Sequence, residues 1–249
     1  MKPADPNLVA LFDSVKNFVM WEEYTFSFPD QSTLVLSTKD VDATVSYPPP
    51  PPPPPPGIPW LLDTFTGTLG DTLATHVGEV GAAWSAGTAS ASDFVLTGDG
   101  NVQYTAGPGT VIASGLPPSG TADFYLELEF TVYEFDQAEI QCTVGGSQGV
   151  RMKPFGSSGV VKLDTVIVTG SDFKINTYNT GLPMGAGESY VAWCEVTDAR
   201  KTVTFGVGAA RGSGAVATLT LIGTLPTADA TIMYISGPTS LVSRIEGGV

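Results

Sequence analysis

Two carboxylates at alternate positions are the first residues whose spacing could support chemistry. Glu127 and Glu129 fall in residues 124–132, where apolar and polar side chains alternate as in a half-buried strand. Both would then lie on one face, with Cβ atoms about 7 Å apart, and glycosidases place two acids about 5 to 9.5 Å apart. Three more acids follow in the next predicted turn: Glu134, Asp136 and Glu139. Because alternating acids are typical of a solvated strand face, we predict a surface role for these residues and no catalysis.

His76 is the only histidine of the chain. A Ser-His-Asp site would need this imidazole to lie between a nucleophile and a carboxylate. Nothing near His76 in the sequence supplies that arrangement. We therefore predict a structural histidine in the loop that leads into the large β-domain, so that His76→Gln would lower stability and leave ligand binding intact.

Cys142 and Cys194 are the only cysteines. Two cysteines are too few for a disulfide framework or a four-cysteine zinc site. Each lies in a strand-like segment, so we predict buried free thiols. A disulfide between them stays open as an alternative if the two strands face each other.

A calcium ion is the one cofactor that the residues suggest. Calcium takes oxygen ligands from acidic side chains and loop carbonyls. Asp99, Asp123 and Asp136 lie next to predicted loops and are the candidate ligands. The sequence has no Asp-x-Asp-x-Asp-Gly calcium loop, and no other cofactor is expected.

Phe155 and Tyr178 are the aromatic residues that could contact a ligand. Both lie near predicted turns, where a ring is free to pack against the apolar side of a sugar. We predict that they are the ligand-binding residues.

Nine consecutive prolines at residues 48–56 divide the chain. Proline fixes φ and lacks an N–H group, so the run can join neither a helix nor a sheet interior. We expect a polyproline II rod roughly 28 Å long. The predicted organisation is an anchor at residues 1–47, a linker at 48–57 and a head at 58–249.

The negative charge of the chain disfavours anionic binding partners. Charged residues make up only 14% of the 249 residues, and the net charge is −14. Residues 1–47 carry three lysines against seven acids, and residues 57–249 carry eight basic against eighteen acidic residues. Without a basic patch, nucleic acids and anionic membranes are disfavoured as partners. We find neither a secretory signal nor an apolar run of the ~20 residues that span a membrane.

The anchor is predicted to be a small α+β unit. Asp5 and Pro6 can start a helix over about residues 7–20, which has one apolar stripe. Residues 24–28 and 33–36 alternate around a turn and predict a hairpin, and residues 41–45 predict a further strand.

The rest of the chain is predicted to be all β. Residues 58–249 contain many short alternating runs separated by Gly, Pro, Asp and Ser, and no amphipathic helical stretch. Short strands at this regular spacing indicate a β-sandwich or barrel. The fold class is therefore mainly β.

A family resemblance rests on two stretches of the head. The first combines Asp63-Thr-Phe65 with Leu73, His76 and Gly81-Ala-Ala-Trp84, and the second combines residues 187–193 with Asp198-Ala-Arg-Lys-Thr-Val203. Over residues 60–245 the chain resembles the concanavalin-like (LamG-like) jelly-roll domains of bacteriophage virion proteins. The resemblance implies a jelly roll with Trp84 and Trp193 in its core, and a calcium ion at its rim. Residues 26–42 resemble the opening hairpin of phage tail-tip proteins.

This resemblance implies a structural component of a phage tail tip or baseplate, located in the virion and assembled in the host cytoplasm. Residues 1–47 would bind other virion proteins, and the head would attach to a host-surface glycan without being an enzyme. We expect a homotrimer, because tail-tip structures often have threefold symmetry. Two alternatives stay open, a capsid decoration or spike protein and a polysaccharide-degrading head.

Overall fold

The computed structural model describes residues 58–249 except 121, 132, 134–135, 185–187 and 237–238, together with the backbone of residues 23–27, 33–37 and 43–46. The chain divides into two compact units, residues 1–51 and 52–249. The predicted helix at 7–20 and the proline run at 48–56 lie outside the described residues and stay predictions. No helix in the described part of the chain is long and apolar enough to cross a membrane.

The first unit contains a small antiparallel sheet. Its strands are β1 (Glu23–Ser27), β2 (Thr33–Ser37) and β3 (Ala43–Ser46), with β2 in the centre. The pairing of β1 with β2 confirms the predicted hairpin, and β3 confirms the further strand.

The second unit is a sandwich of two antiparallel sheets, as predicted. The seven-stranded sheet contains, in spatial order, β13 (Phe173–Pro183), β12 (Val160–Val168), β11 (Gln148–Ser157), β10 (Gln137–Val144), β17 (Ala230–Ser236), β8 (Gly109–Ala113) and β5 (Trp84–Ala86). The eight-stranded sheet contains β16 (Ala215–Thr220), β15 (Thr202–Gly208), β14 (Tyr190–Thr197), β9 (Phe124–Thr131), β18 (Leu241–Gly248), β7 (Val102–Tyr104) and β6 (Phe94–Leu96), with β4 (Pro59–Asp63) paired to β18.

Side-chain alternation separates a core face from an outer face in each sheet. In β12, the buried residues Val161, Leu163 and Ile167 alternate with half-buried ones. Apolar residues of both sheets meet in one core between them. Alternation of this kind is expected when a strand packs on one side only.

Both cysteines belong to this core. Cys142 and Cys194 are free and buried, which confirms the predicted thiols. Burial disfavours the charged thiolate and raises the pKa of Cys142 to about 12. The pKa of Cys194 is raised for the same reason.

A buried carboxylate fastens the loop that follows β4. Asp63 is fully buried and lies 2.9 Å from the Nε2 atom of His76. It accepts further hydrogen bonds from the indole N–H of Trp84 at 2.7 Å and from the backbone N–H of Phe65 at 2.7 Å. His76 thus helps to hold this loop, which agrees with the predicted structural role. Trp84 is buried in the core, as the resemblance implied.

A buried arginine fastens the opposite connection, between β14 and β15. Arg200 donates to the backbone carbonyls of Ala122 at 3.1 Å, Pro226 at 3.1 Å and Pro118. Its guanidinium also lies 5.2 Å from the centroid of the Phe124 ring. Carbonyl groups and the face of a ring thus surround the guanidinium. Its positive charge is buried, but Nε, Nη1 and Nη2 each have a carbonyl acceptor.

Asp63→Asn tests the first of these two fastenings. The NH2 group of the asparagine amide would face the N–H group of Trp84 or His76, where the carboxylate of Asp63 provides an acceptor. We expect a loss of on the order of 3 kcal/mol in the free energy of unfolding, measured by urea denaturation. Asp71→Asn, on the exposed residue that accepts from Thr68, is the control. Equal stability of the two variants would contradict the role of Asp63.

Candidate functional site

The sandwich has two outer faces, one on each sheet. We call the outward side of the seven-stranded sheet, which carries Lys153 and Phe155, the front face. The outward side of the eight-stranded sheet, which carries Glu127 and Glu129, is the back face. These residues alternate with core residues along β11 and β9, so their side chains point away from the core.

A row of polar side chains crosses the front face. From β13 to β8, its members are Thr177, Asp164, Lys153, Glu139, Tyr234 and Thr110. At about 4.8 Å between strands, the row is roughly 24 Å long. The charge alternates along its central part, from the acid Asp164 to the base Lys153 to the acid Glu139. The phenol of Tyr234 follows.

Phe155 lies beside this row, two residues after Lys153 on β11. Its cross-strand partners are Lys162 on β12 and Gln137 on β10. The Nζ atom of Lys153 is 5.9 Å from the centroid of its ring. Phe155 and Tyr234 are both partly exposed, so the front face presents aromatic surface next to charged groups.

The ion pairs on the front face differ in the distance between their charged atoms. The Nζ atom of Lys153 lies 3.1 Å from Asp164 Oδ2, and the hydroxyl of Thr177 donates to Asp164 Oδ1 at 2.6 Å. The Nε atom of Arg151 is 3.9 Å from Glu139 Oε2, which is too long for a hydrogen bond. That Nε atom is buried without a hydrogen-bond partner among the described residues.

Glu139 is the most buried acid of the row, with 6% of its surface exposed. Burial raises its pKa, and the positive charges of Arg151 and Lys153 offset part of the rise. It lies on β10, although the sequence placed it in a turn. A carboxyl group with a raised pKa on an outward face is a candidate proton donor.

The two predicted ligand-binding residues lie on opposite sides of the same sheet. Phe155 pairs with Lys162 and faces outward. Tyr178 pairs with Leu163, a core residue, and so points toward the core side of β13. The structure therefore does not bring Phe155 and Tyr178 together.

The three predicted calcium ligands are also apart in the fold. Asp99 lies between β6 and β7 and accepts from Asn101 at 2.9 Å and from Thr97. Asp123 precedes β9 and accepts from the backbone N–H of Ala199, and Asp136 precedes β10 and accepts from the hydroxyl of Thr239. Among the described residues, no three His, Cys, Asp or Glu side chains are grouped as a metal site would need. The calcium expectation has no support from this part of the chain.

Charged residues of the back face are bound to one another. Glu127 has only 5% of its surface exposed, and its carboxylate lies 3.0 Å from Arg211 Nε and 2.6 Å from Arg244 Nη2. Burial raises its pKa, against the effect of both arginines. The prediction of a solvated surface is therefore wrong for Glu127, whereas Glu129 is partly exposed and accepts from Ser189 at 3.3 Å.

Aromatic residues of the back face are covered. The guanidinium of Arg211 lies 3.4 Å from the centroid of Tyr125, whose hydroxyl donates to Glu246 at 2.5 Å. Trp193 is 2% exposed, but it lies flat over Gly206 on the outer side, and its indole N–H donates to the carbonyl of Ser213 at 2.7 Å. Trp193 is therefore buried outside the inter-sheet core, contrary to the expectation. The back face therefore offers a ligand little aromatic surface at Tyr125 and Trp193, which favours the front face as the candidate site.

Ser147 does not form a nucleophile site. It stands in Gly145-Gly-Ser-Gln-Gly149, which has the Gly-x-Ser-x-Gly spacing of a nucleophile elbow. That elbow joins a strand to a helix, whereas Ser147 lies in the hairpin turn between β10 and β11. The spacing here belongs to a tight turn.

Sequence reasoning missed most of the front face. Lys153, Asp164 and Tyr234 were not among the predicted residues. A signal existed, because Arg151, Lys153 and Phe155 alternate with apolar residues along one strand. Their partners on other strands carry no such signal, since the pairing of β10, β11, β12 and β17 depends on the fold.

The chain is similar in fold to solved structures of other proteins. No family model and no curated protein sequence matches it. The endo-1,3-beta-glucanase from Streptomyces sioyaensis superposes with a TM-score of 0.51 at 13% identity, over 79% of this chain and 98% of that one. The Bacillus licheniformis beta-glucanase does so with a TM-score of 0.51 at 10% identity, over 76% and 97%. The likeness confirms the concanavalin-like jelly roll.

This likeness also corrects one prediction. The sequence led us to predict that the chain is not an enzyme, yet both of the solved structures named above, which share its fold, are glucanases. That prediction is contradicted. The phage part of the resemblance has no counterpart in these two structures and stays a prediction.

Glu139→Gln tests the buried acid of the front row through pH. The ordinary pKa of glutamate is about 4.3, and the folded value is higher. The folded state therefore binds this proton more tightly than the unfolded state, and its stability falls as pH rises from about 4.3 through the folded pKa. We expect the stability of Glu139→Gln relative to the native chain to increase between pH 4 and pH 7, measured by thermal unfolding.

Glu188→Gln is the control for this measurement, because Glu188 is exposed. Its stability relative to the native chain should stay nearly constant over the same pH range. A relative loss of stability in Glu139→Gln with rising pH would contradict the burial argument.

Proposed function

We propose that the sandwich binds a polysaccharide along its front face. The observation that carries this proposal is the row from Thr177 to Thr110, with Phe155 beside it. The row is long enough to contact several sugar units and lies across the sheet, open to an extended chain. The corresponding groups of the back face are already engaged with one another.

Sugar chemistry suits this row. A pyranose ring has C–H groups that pack on an aromatic face and hydroxyl groups that bind charged or polar side chains. Phe155 and Tyr234 supply rings, and Asp164 and Glu139 supply carboxylates near them. The shared fold with two glucanases supports a carbohydrate as the ligand.

The wider setting is proposed from the sequence. The resemblance over residues 60–245 and the proline run at 48–56 support a head displayed on a phage tail tip or baseplate, with residues 1–47 bound to other virion proteins. A capsid decoration or spike is the alternative. A homotrimer within the virion remains our proposal for the assembly. Copy number in purified particles separates the two locations, because a tail tip needs few copies and a shell needs many.

Hydrolysis of the bound polysaccharide is a second candidate function. Glu139 and Asp164 lie on the same row with one strand between them, so their backbones are separated by about 9.6 Å. Hydrolysis in which one acid protonates the leaving oxygen and the other activates water needs carboxyl groups about 6.5 to 9.5 Å apart, and the flexible side chains of Glu139 and Asp164 permit a carboxyl separation slightly shorter than that of their backbones. The raised pKa of Glu139 suits the first role.

Phe155→Ala tests the binding proposal. We expect binding of the recognised polysaccharide to weaken about tenfold, because the apolar face for the sugar ring is lost. Isothermal titration calorimetry with the full chain against a panel of polysaccharides measures it. Tyr178→Ala, on the opposite side of the same sheet, is the control and should bind as the native chain does. Equal affinity of Phe155→Ala and the native chain would refute the front-face site.

Release of reducing ends from the same polysaccharides tests hydrolysis. If the front row is catalytic, Glu139→Gln and Asp164→Asn should each lower the rate at least a hundredfold while polysaccharide binding remains. Glu129→Gln, on the back face, should retain the native rate. Cleavage that survives both front-row changes would exclude these acids, and binding without any cleavage by the native chain would exclude hydrolysis.

A further inference from the structure

We infer that the polysaccharide bound by the front face is an acidic one, with ring carboxylates such as those of uronic acids. This inference rests on the proposed function, since it names the class of ligand for the same face. It is carried by the distribution of charge between the two outer faces and by the position of Lys162 beside Phe155.

The front face differs in charge from the rest of the head. Residues 57–249 carry eight basic and eighteen acidic residues, a net charge of −10. The strand residues of the front face carry three bases against two acids, net +1: Arg151, Lys153, Lys162, Glu139 and Asp164. The strand residues of the back face carry one base against four acids, net −3: Arg244, Glu127, Glu129, Glu195 and Glu246.

Not all of the positive charge on the front face is used internally. Lys153 is paired with Asp164 at 3.1 Å. Lys162 donates to the hydroxyl of Ser157 at 3.3 Å, and among the described residues no acid lies within ion-pair distance of it. Arg151 lies at the outer limit of an ion pair with Glu139 and has 38% of its side chain exposed. A bound anion would therefore meet two cations that are incompletely neutralised.

Lys162 and Lys153 lie next to the ring of Phe155, on which a sugar would stack. Lys162 is directly across from Phe155, at a typical Cβ separation of about 5 Å. The ammonium of Lys153 is also near the ring, 5.9 Å from its centroid. A ring carboxylate of a sugar packed on Phe155 would come within reach of Lys162.

The negative charge of the whole chain does not prevent this. At an ionic strength of 0.15 M, exposed charges farther away than about 8 Å are largely screened. The charges that a bound carboxylate meets are then those of the front face. The acidic surroundings would still slow the approach of an anionic polymer at low salt.

Lys162→Gln tests the inference in the full chain. Binding is measured by calorimetry at 0.15 M salt to polygalacturonate and alginate, which carry carboxylates, and to laminarin and lichenan, which do not. We expect the native chain to prefer the two polyuronates, and Lys162→Gln to weaken polyuronate binding about fivefold without changing any binding to the neutral glucans. Lys201→Gln removes the same charge from an exposed position between β14 and β15 and should bind as the native chain does.

The outcomes separate this inference from the proposed function. Binding of laminarin or lichenan in preference to the polyuronates, lost in Phe155→Ala, would overturn the acidic ligand and leave the front-face site standing. Equal effects of Lys162→Gln and Lys201→Gln would show a general charge effect and also overturn the inference. Binding of none of the four polysaccharides would overturn the proposed function and this inference with it.

Discussion

Strand register is the constraint on which the rest of the structure depends. In an antiparallel sheet, a slip by one residue exchanges the inner and outer side chains of a strand. The burial of Ile140, Met152 and Leu163 in the core prevents such a slip in β10, β11 and β12. The same pairing puts Lys153 beside Asp164 on the outer side. The front row thus follows from the burial of the apolar residues behind it.

Connections at the ends of the strands are held by charged groups that form hydrogen bonds with backbone or side-chain partners. Asp63 and Arg200 fasten two of them. Asp172 fastens a third, since its carboxylate accepts from the backbone N–H groups of Ile222 at 3.2 Å and Gly223 at 2.8 Å. This contact joins the turn before β13 to the segment after β16, which belongs to the other sheet. A buried charge is tolerated only with such partners, so these three residues serve the fold and are not free for a ligand.

Acidic and basic residues are paired differently on the two outer faces. On the back face, Glu127 lies between two arginines, and these contacts use the charged groups that a ligand would need. On the front face the pairing is partial, because Arg151 is too far from Glu139 for a hydrogen bond and no acid of the described residues lies within ion-pair distance of Lys162. The front face also leaves the rings of Phe155 and Tyr234 partly exposed, whereas Tyr125 and Trp193 on the back face are covered. The fold shared with the two glucanases is compatible with either binding or cleavage of a polysaccharide.

The sequence by itself indicated an all-β head with a sandwich or barrel, many of its strands, the buried thiols and a structural role for His76, because alternation and burial are properties of short segments. Ligand binding by Phe155 stays a prediction. Only the tertiary structure decided that Tyr178 points away from Phe155, that Glu127 is buried, and that Asp99, Asp123 and Asp136 are apart. The physical reason is that periodicity assigns a residue to one side of its own strand, whereas its neighbours across the sheet depend on which strands pair. Residues as far apart in sequence as Glu139 and Tyr234 became partners only through that pairing.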